Sequence, residues 1–210
     1  MKRFSTCFWF LGGVLFPQGF CLSVACFRRV RRNGAVGDGL TTSLVSLTFS
    51  LTPAAVRVSS DVFISTTGGA DYDFAAQSQS RGVTVAQIRL DFEGGIFVLD
   101  DIGGGLALID TGAKWRVGMY QNVAVEINPA TNTQRYFLNN APIYTGAGGR
   151  ISTATTEQIV VSGNNFQLPG EFADFDTVAV VVLPEAGAEW LLCAGMLPCA
   201  WLAKRVYRKA

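Results

Sequence analysis

The stretch that decides the fold reads VAVEINPATNTQRYFLNN and runs from Val123 to Asn140. Up to Ile127 its apolar residues alternate along the chain, which predicts a strand with one buried face. Residues 128–132 are polar and indicate a turn, and a second strand follows at 135–138. Asn139 and Asn140 tolerate the left-handed backbone that a two-residue hairpin requires. The stretch therefore predicts two short antiparallel strands and a tight turn into a third.

Similar strand-like runs lie on both sides of this stretch, at 46–52, 56–65, 83–92, 96–99, 115–127, 143–144, 158–162 and 175–183. The alternation slips between Val85 and Ile88, which predicts a β-bulge. Residues 40–182 show no helical period of useful length and no repeat. Together with 23 glycines and only 16% charged residues, this predicts an all-β antiparallel jelly-roll sandwich over 40–182.

Three segments of the domain carry a family resemblance: Trp115–Val117, the stretch from Val123 to Asn140, and Phe172–Val178. Their order of tryptophan, strand, Asn-rich turn, strand, hairpin and closing acidic strand resembles the concanavalin A-like lectin/glucanase (laminin-G-type) jelly roll. The resemblance implies a two-sheet sandwich that binds glycans or hydrolyses them. The front of the domain is short for this family, so an edge strand is either missing or supplied by the region after Arg32.

Composition excludes several kinds of chemistry. The chain has no histidine, which removes Ser-His-Asp and Cys-His catalysis and His-ligated zinc. Its formal net charge of +1 gives no electrostatic basis for nucleic-acid binding. The cysteines lie only in the apolar ends and do not form a disulfide framework; they are Cys7, Cys21, Cys26, Cys193 and Cys199.

The N-terminal segment is typical of an export signal. Two basic residues precede an apolar run from Phe4 to Phe16, and small residues end at Ala25. This predicts a signal peptide over 1–25, cleaved after Ala25, and a basic, Gly-containing linker over 26–39. Arginines between Arg28 and Arg32 favour the opposite topology, because positive charge after an apolar segment holds the following chain in the cytoplasm.

The tail at 183–210 combines Pro184, Glu185 and Ala186 with an apolar run at 190–203 and a basic end. This order predicts a single membrane helix with a positive flank. It also resembles a PEP-CTERM sorting signal, which implies processing by an exosortase-like enzyme after export. The tail departs from that pattern at Ala186, where the family usually has proline, and Pro198 interrupts the apolar run. The alternative is an amphipathic C-terminal helix packed on the domain.

Acidic residues two apart on a strand are candidates for a catalytic pair, because retaining glycosidases need two carboxyls on one face. Asp174 and Asp176 share a face, but Glu171 is out of phase with them. Two further acidic pairs are Asp91 with Glu93, which indicate a turn, and Asp100 with Asp101. We therefore predict no catalytic residues.

The sequence offers candidates for two other kinds of site. The resemblance implies a calcium site at Asp176, which matches the family's acidic position before the last strand, with a solvent-facing or loop-capping role as the alternative. Trp115 and Tyr120 could stack on a sugar ring, although its apolar surroundings favour Trp115 as a core residue. No other ligand-binding residue is indicated.

The sequence thus predicts a non-enzymatic, exported bacterial envelope or extracellular-matrix protein. It would bind polysaccharide or act structurally, and its partners would be an exosortase-like enzyme and, through the C-terminal helix, the membrane. The alternatives are a secreted glycan hydrolase of the same fold and a membrane-tethered protein with a cytoplasmic body.

Overall fold

The computed structural model of this 210-residue chain describes residues 30–33, 42–43, 47–48, 55–146, 154–165 and 171–183. These residues contain thirteen strands and no helix: β1 (Val30–Asn33), β2 (Thr42–Ser43), β3 (Leu47–Thr48), β4 (Val56–Ile64), β5 (Ala70–Ser78), β6 (Val83–Leu90), β7 (Gly95–Asp101), β8 (Leu106–Lys114), β9 (Tyr120–Asn128), β10 (Thr133–Leu138), β11 (Ala141–Gly146), β12 (Gln158–Asn165) and β13 (Phe172–Val182).

The strands form two antiparallel sheets. The six-stranded sheet has the order β1-β13-β4-β9-β10-β11. The seven-stranded sheet has the order β2-β12-β5-β6-β7-β8, with β3 also paired to β12. Consecutive strands lie in different sheets after β1, β3, β4, β8, β11 and β12, so neighbouring strands in space are often distant in sequence. The all-β two-sheet sandwich predicted from the sequence is confirmed.

The core lies between the two sheets and is built from alternate residues of the strands. On β4 every second residue from Val56 to Ile64 is buried, and β9 shows the same period at Val123, Val125 and Ile127. The seven-stranded sheet contributes Phe74, Ile88 and Ile96, among others. Because successive side chains of a strand point to opposite faces, this alternation leaves a second, outward face on each sheet.

Two local features predicted from the sequence are confirmed. Ala86 pairs with Ala76 while Thr84 pairs with Gln77, so Val85 is the extra residue of a bulge in β6. Val85 and Ala86 are consecutive and both buried, which explains the slip in the alternation. Asn139 and Asn140 connect β10 to β11 with φ angles of 50° and 63°, as a two-residue type I′ turn requires.

Other strand predictions need correction. Residues 115–119 connect β8 to β9 and are not part of a strand, and the last strand begins at Phe172, not at Phe175. The sequence did not predict β8. Along its nine residues, exposed and half-buried positions alternate and none is fully buried. Because β8 is an edge strand, its inward residues pack less deeply and its sequence carries a weak apolar signal.

The N-terminal edge strand was also predicted imperfectly. Val30–Asn33, which we assigned to a linker over 26–39, forms β1 and pairs with β13 from Phe172 to Phe175. The sequence resemblance had suggested an edge strand from the region after Arg32, and the strand lies a few residues earlier. The remaining predicted linker residues lie outside the described residues.

Candidate functional site

Three polar side chains lie together on the outward face of the seven-stranded sheet. Asp73 on β5 pairs in register with Arg89 on β6, and Gln87 lies two residues before Arg89 on the same face. We call Asp73, Gln87 and Arg89 the polar cluster. Strand alternation places all three opposite the core, because their neighbours Phe74, Ile88 and Leu90 are buried.

Hydrogen bonds hold the polar cluster in one arrangement. Arg89 donates from Nε to Asp73 Oδ1 at 2.8 Å and from Nη2 to Asp73 Oδ2 at 3.0 Å. Gln87 donates from Nε2 to Asp73 Oδ1 at 2.8 Å. Arg89 Nη1 is 3.9 Å from Asp71 Oδ2. This bidentate pair is the strong, oriented form of an ion pair, so the three planar groups are preorganised.

Electrostatics around the polar cluster follow from these contacts. The hydrogen bond to Asp73 raises the pKa of Arg89, against the opposing effect of its partial burial. Burial raises the pKa of Asp71, and the charges of Asp91 and Asp73 add to that rise. Asp71 Oδ1 accepts a hydrogen bond from the Phe92 amide at 3.0 Å, which acts in the opposite direction.

Apolar side chains border the polar cluster on the same face. Phe97 on β7 is half-buried and pairs in register with Arg89, and Leu99 pairs with Leu108 on β8. Leu108 is 38% exposed, so the apolar border is open to solvent. A set of fixed donors and acceptors beside partly exposed apolar surface is an arrangement for recognition of a ligand with both polar and apolar faces.

Sequence reasoning missed the polar cluster. The signal was present: Gln87 and Arg89 are two residues apart in a strand whose intervening residue Ile88 is apolar, which places both on the solvent face. What the sequence did not show was that Asp73 would lie beside them across β5 and β6.

Of the two aromatic residues predicted to stack on sugars, Trp115 is buried. Its Nε1 donates a hydrogen bond to the Asp91 carbonyl at 2.9 Å, which fixes the connection between β8 and β9 to the β6–β7 turn. The core role favoured by the sequence is confirmed. Tyr120, at the start of β9, is 44% exposed and packs against Phe63 with ring centroids 5.4 Å apart. It lies on the six-stranded sheet, away from the polar cluster.

The structure does not join Glu171, Asp174 and Asp176 into one site. Glu171 is buried, and its carboxyl lies next to the core residue Tyr72. Asp174 and Asp176 alternate with the core residues Ala173 and Phe175, so they project to the other side of the sheet. The out-of-phase position of Glu171 noted in the sequence thus corresponds to a side chain on the core side of the sheet, one residue before β13 begins.

Asp176 lies where β13 changes register against β4. Its Oδ1 accepts a hydrogen bond from the Thr177 amide at 2.7 Å. Within the described residues, no three His, Cys, Asp or Glu side chains are arranged to hold a metal ion. Calcium binding at Asp176 stays a prediction.

The other acidic pairs have structural roles. Asp91 and Glu93 lie in the β6–β7 turn, where Asp91 Oδ2 accepts from the Glu93 amide at 3.0 Å. Asp100 points between the sheets and accepts a hydrogen bond from the Tyr144 hydroxyl at 2.8 Å, whereas Asp101 lies on the other face of β7. These contacts give both pairs a role in holding turns and sheets.

The residues predicted for processing lie outside the described residues: Ala25, Pro184, Glu185 and Ala186. In the part of the chain that the structure covers, there is no helix with the length and apolar character needed to cross a bilayer. Signal cleavage, tail sorting and the C-terminal helix therefore stay predictions.

Comparison with known proteins shows similarity of fold. No protein-family model and no curated protein matches the chain. Among solved structures, a sialidase superposes with a TM-score of 0.53 at 11% sequence identity. The superposition covers 75% of this chain and 15% of the sialidase chain. A mutant of HCR/D gives 0.52 at 8% identity, covering 79% of this chain and 44% of its own. The binding domain of Paraclostridial Mosquitocidal Protein 1 gives a TM-score of 0.50 at 13% identity, and the superposition covers 81% of this chain and 45% of the other.

The matched region is less than half of each of these structures. At these identities the comparisons establish the sandwich fold, which supports many functions, and do not transfer a site or a reaction.

Proposed function

We propose that this chain is a non-enzymatic, exported envelope or extracellular-matrix protein whose sandwich binds polysaccharide through the outward face of its seven-stranded sheet. The observation that carries this proposal is the polar cluster of Asp73, Gln87 and Arg89 beside the apolar residues Phe97, Leu99 and Leu108.

The chemistry of the cluster suits a sugar. Neighbouring hydroxyl groups of a pyranose both donate and accept hydrogen bonds, and a carboxylate beside a guanidinium and an amide offers both complements. The C–H face of the same ring is apolar and would pack on Leu99 and Leu108. Because Asp73 and Arg89 already hold each other, a sugar would meet groups in fixed positions and lose less entropy on binding.

Binding without hydrolysis fits the acidic residues of the described chain. Asp91 and Glu93 lie in a turn, and Asp100 and Asp101 lie on opposite faces of β7. Asp174 and Asp176 share a face, and Glu171 is buried on the core side, away from them. Retaining hydrolysis needs two carboxyls about 5–5.5 Å apart facing one substrate. Release of reducing ends from any polysaccharide that binds would instead support the alternative function, a glycan hydrolase.

Export and sorting complete the proposal. The apolar segment before Ala25 would direct secretion, and the tail with Pro184, Glu185 and Ala186 would be recognised by an exosortase-like enzyme at the membrane. The order of acidic-proline motif, apolar run and basic end supports this part. The protein would then act at the cell surface or in the extracellular matrix.

The binding site is tested by affinity electrophoresis and calorimetry with a panel of polysaccharides. We expect Arg89→Gln and Gln87→Ala to weaken binding at least tenfold. The matched control is Arg135→Gln, since Arg135 lies on the outward face of the other sheet and is 53% exposed. Circular dichroism would check that each variant is folded. Equal loss for Arg135→Gln, or unchanged binding in folded Arg89→Gln and Gln87→Ala, would overturn the assignment of this face.

A further inference from the structure

The outward face of the seven-stranded sheet carries more negative than positive side chains. Among its described strands, the outward charged residues are four carboxylates and two bases: Asp71, Asp73, Arg89, Asp101, Asp110 and Lys114. The whole chain has a formal net charge of +1 because basic residues concentrated in its two ends balance the acidic residues of the central part.

Arg89 offsets the charge of Asp73 and, more weakly, that of Asp71, whose Oδ2 lies 3.9 Å from Arg89 Nη1. Its guanidinium is bound in bidentate fashion by Asp73, with hydrogen bonds of 2.8 and 3.0 Å. That pair is close to neutral as a unit. Three carboxylates then remain against Lys114, and Asp110 on β8 is exposed.

Two of these acids are fixed by hydrogen bonds from backbone amides two residues further along the chain. Asp110 Oδ1 accepts from the Gly112 amide at 2.8 Å, and Asp101 Oδ1 accepts from the Gly103 amide at 3.0 Å. Each uses one oxygen in this hydrogen bond, so the negative charge stays at the surface of the face.

We infer that this face selects neutral polysaccharides and rejects those that carry uronate, carboxymethyl or sulfate groups. The inference rests on the proposed function and specifies its ligand class. A unit charge brought within several ångströms of a like charge near a protein surface meets a repulsion large enough to change affinity by about tenfold or more. Salt weakens such repulsion between exposed groups, because the screening length falls to about 3 Å at 1 M.

The test uses matched pairs of polysaccharides that differ only in charge: dextran, mannan, galactan and xylan, each with its carboxymethyl derivative. We expect at least one neutral polymer to bind and its derivative to bind about tenfold more weakly in 20 mM NaCl. The difference should narrow in 500 mM NaCl. Equal or tighter binding of the charged derivative would overturn the inference and leave glycan binding in place.

The variant Asp101→Asn/Asp110→Asn separates charge from structure. Asparagine keeps the side-chain oxygen that accepts from Gly103 or Gly112, so both hydrogen bonds can persist. We expect this variant to bind the carboxymethyl polymer more tightly while its affinity for the neutral one is unchanged. A charge preference that the variant leaves intact would show that these carboxylates do not set it. If no polymer of either kind binds the wild-type protein, the proposed function itself is wrong.

Discussion

The carboxyl group of Glu171 lies beside the phenol of Tyr72 between the two sheets. Glu171 precedes β13 and is 2% exposed, and Tyr72 on β5 is 1% exposed. The two groups are close enough to influence each other, yet neither the Tyr72 hydroxyl nor either Glu171 oxygen completes a hydrogen bond of good geometry. Burial raises the pKa of Glu171 to about 7, against the partial opposing effect of Tyr72.

The first prediction concerns pH. Because the folded-state pKa of Glu171 lies above its unfolded value of 4.5, the protonated form favours folding. Its favourable effect is complete below pH 4.5, falls as pH rises and is lost above about pH 7. The pKa difference corresponds to roughly 3 kcal/mol. Urea unfolding at pH 5 and pH 8 should show this loss in wild type and much less of it in Glu171→Gln.

The control for this prediction is Glu93→Gln, since Glu93 is exposed in the β6–β7 turn. Its pH dependence should follow the wild type. Other carboxyls contribute to the curve, including Glu157, whose pKa is lowered by hydrogen bonds from Ser80. The informative quantity is therefore the difference between wild type and Glu171→Gln. A difference that does not change between pH 5 and pH 8 would contradict a buried protonated carboxyl.

The second prediction concerns Gly146, which packs against Asp100 at the edge of the sandwich. A Cβ at position 146 would lie 2.6 Å from Asp100 Oδ1. Asp100 cannot move freely, because it accepts hydrogen bonds from the Tyr144 hydroxyl and the Asp101 amide. We expect Gly146→Ala to lower the free energy of unfolding by roughly 1–3 kcal/mol.

A double-mutant cycle identifies the cause. If the clash with Asp100 is responsible, Gly146→Ala should cost much less in an Asp100→Ala background than in wild type, as denaturant unfolding would measure. Additive effects of the two substitutions would mean that the new methyl group is accommodated and that the cost arises elsewhere.

The third prediction concerns Thr177, which has a φ of 50° where β13 changes register between Asp176 and Ala179. A β-branched residue is strained in this left-handed region, whereas asparagine tolerates it. We expect Thr177→Asn to raise the free energy of unfolding by roughly 0.5–1 kcal/mol, seen as a higher melting temperature.

The matched control is Thr145→Asn on β11. Thr145 is also exposed, but it lies in regular strand, where asparagine is less favourable than threonine. This variant should be neutral or slightly less stable than wild type. If both substitutions change stability in the same direction, backbone strain at Thr177 is not the reason.

The fourth prediction concerns processing of the two ends. In its native cells the protein should lose about the first 25 residues and the residues after Glu185, as intact mass and terminal peptides would show. Glu185→Ala should leave the tail attached, because it removes the acidic residue of the sorting motif. A wild-type protein that keeps both its C-terminus and Arg28 would instead favour a membrane-tethered protein with a cytoplasmic body.

Local features of this fold were determined by the sequence alone. The alternation around Val123 and Ile127 predicted buried strand faces, the slip at Val85 predicted the bulge, and Asn139 with Asn140 predicted the tight hairpin. Each depends on the conformational preference of a few consecutive residues, so each can be predicted without knowledge of the partner strand.

Only the tertiary structure decided which distant residues meet. Pairing of β5 with β6 places Asp73 against Arg89, and the packing of one sheet on the other places Glu171 beside Tyr72. The sequence did not predict edge strand β8, because β8 has no fully buried residue and is held as a strand mainly by its pairing with β7. Strand periodicity specifies the face on which a side chain lies, but the neighbours on that face are set by the order and register of the sheets.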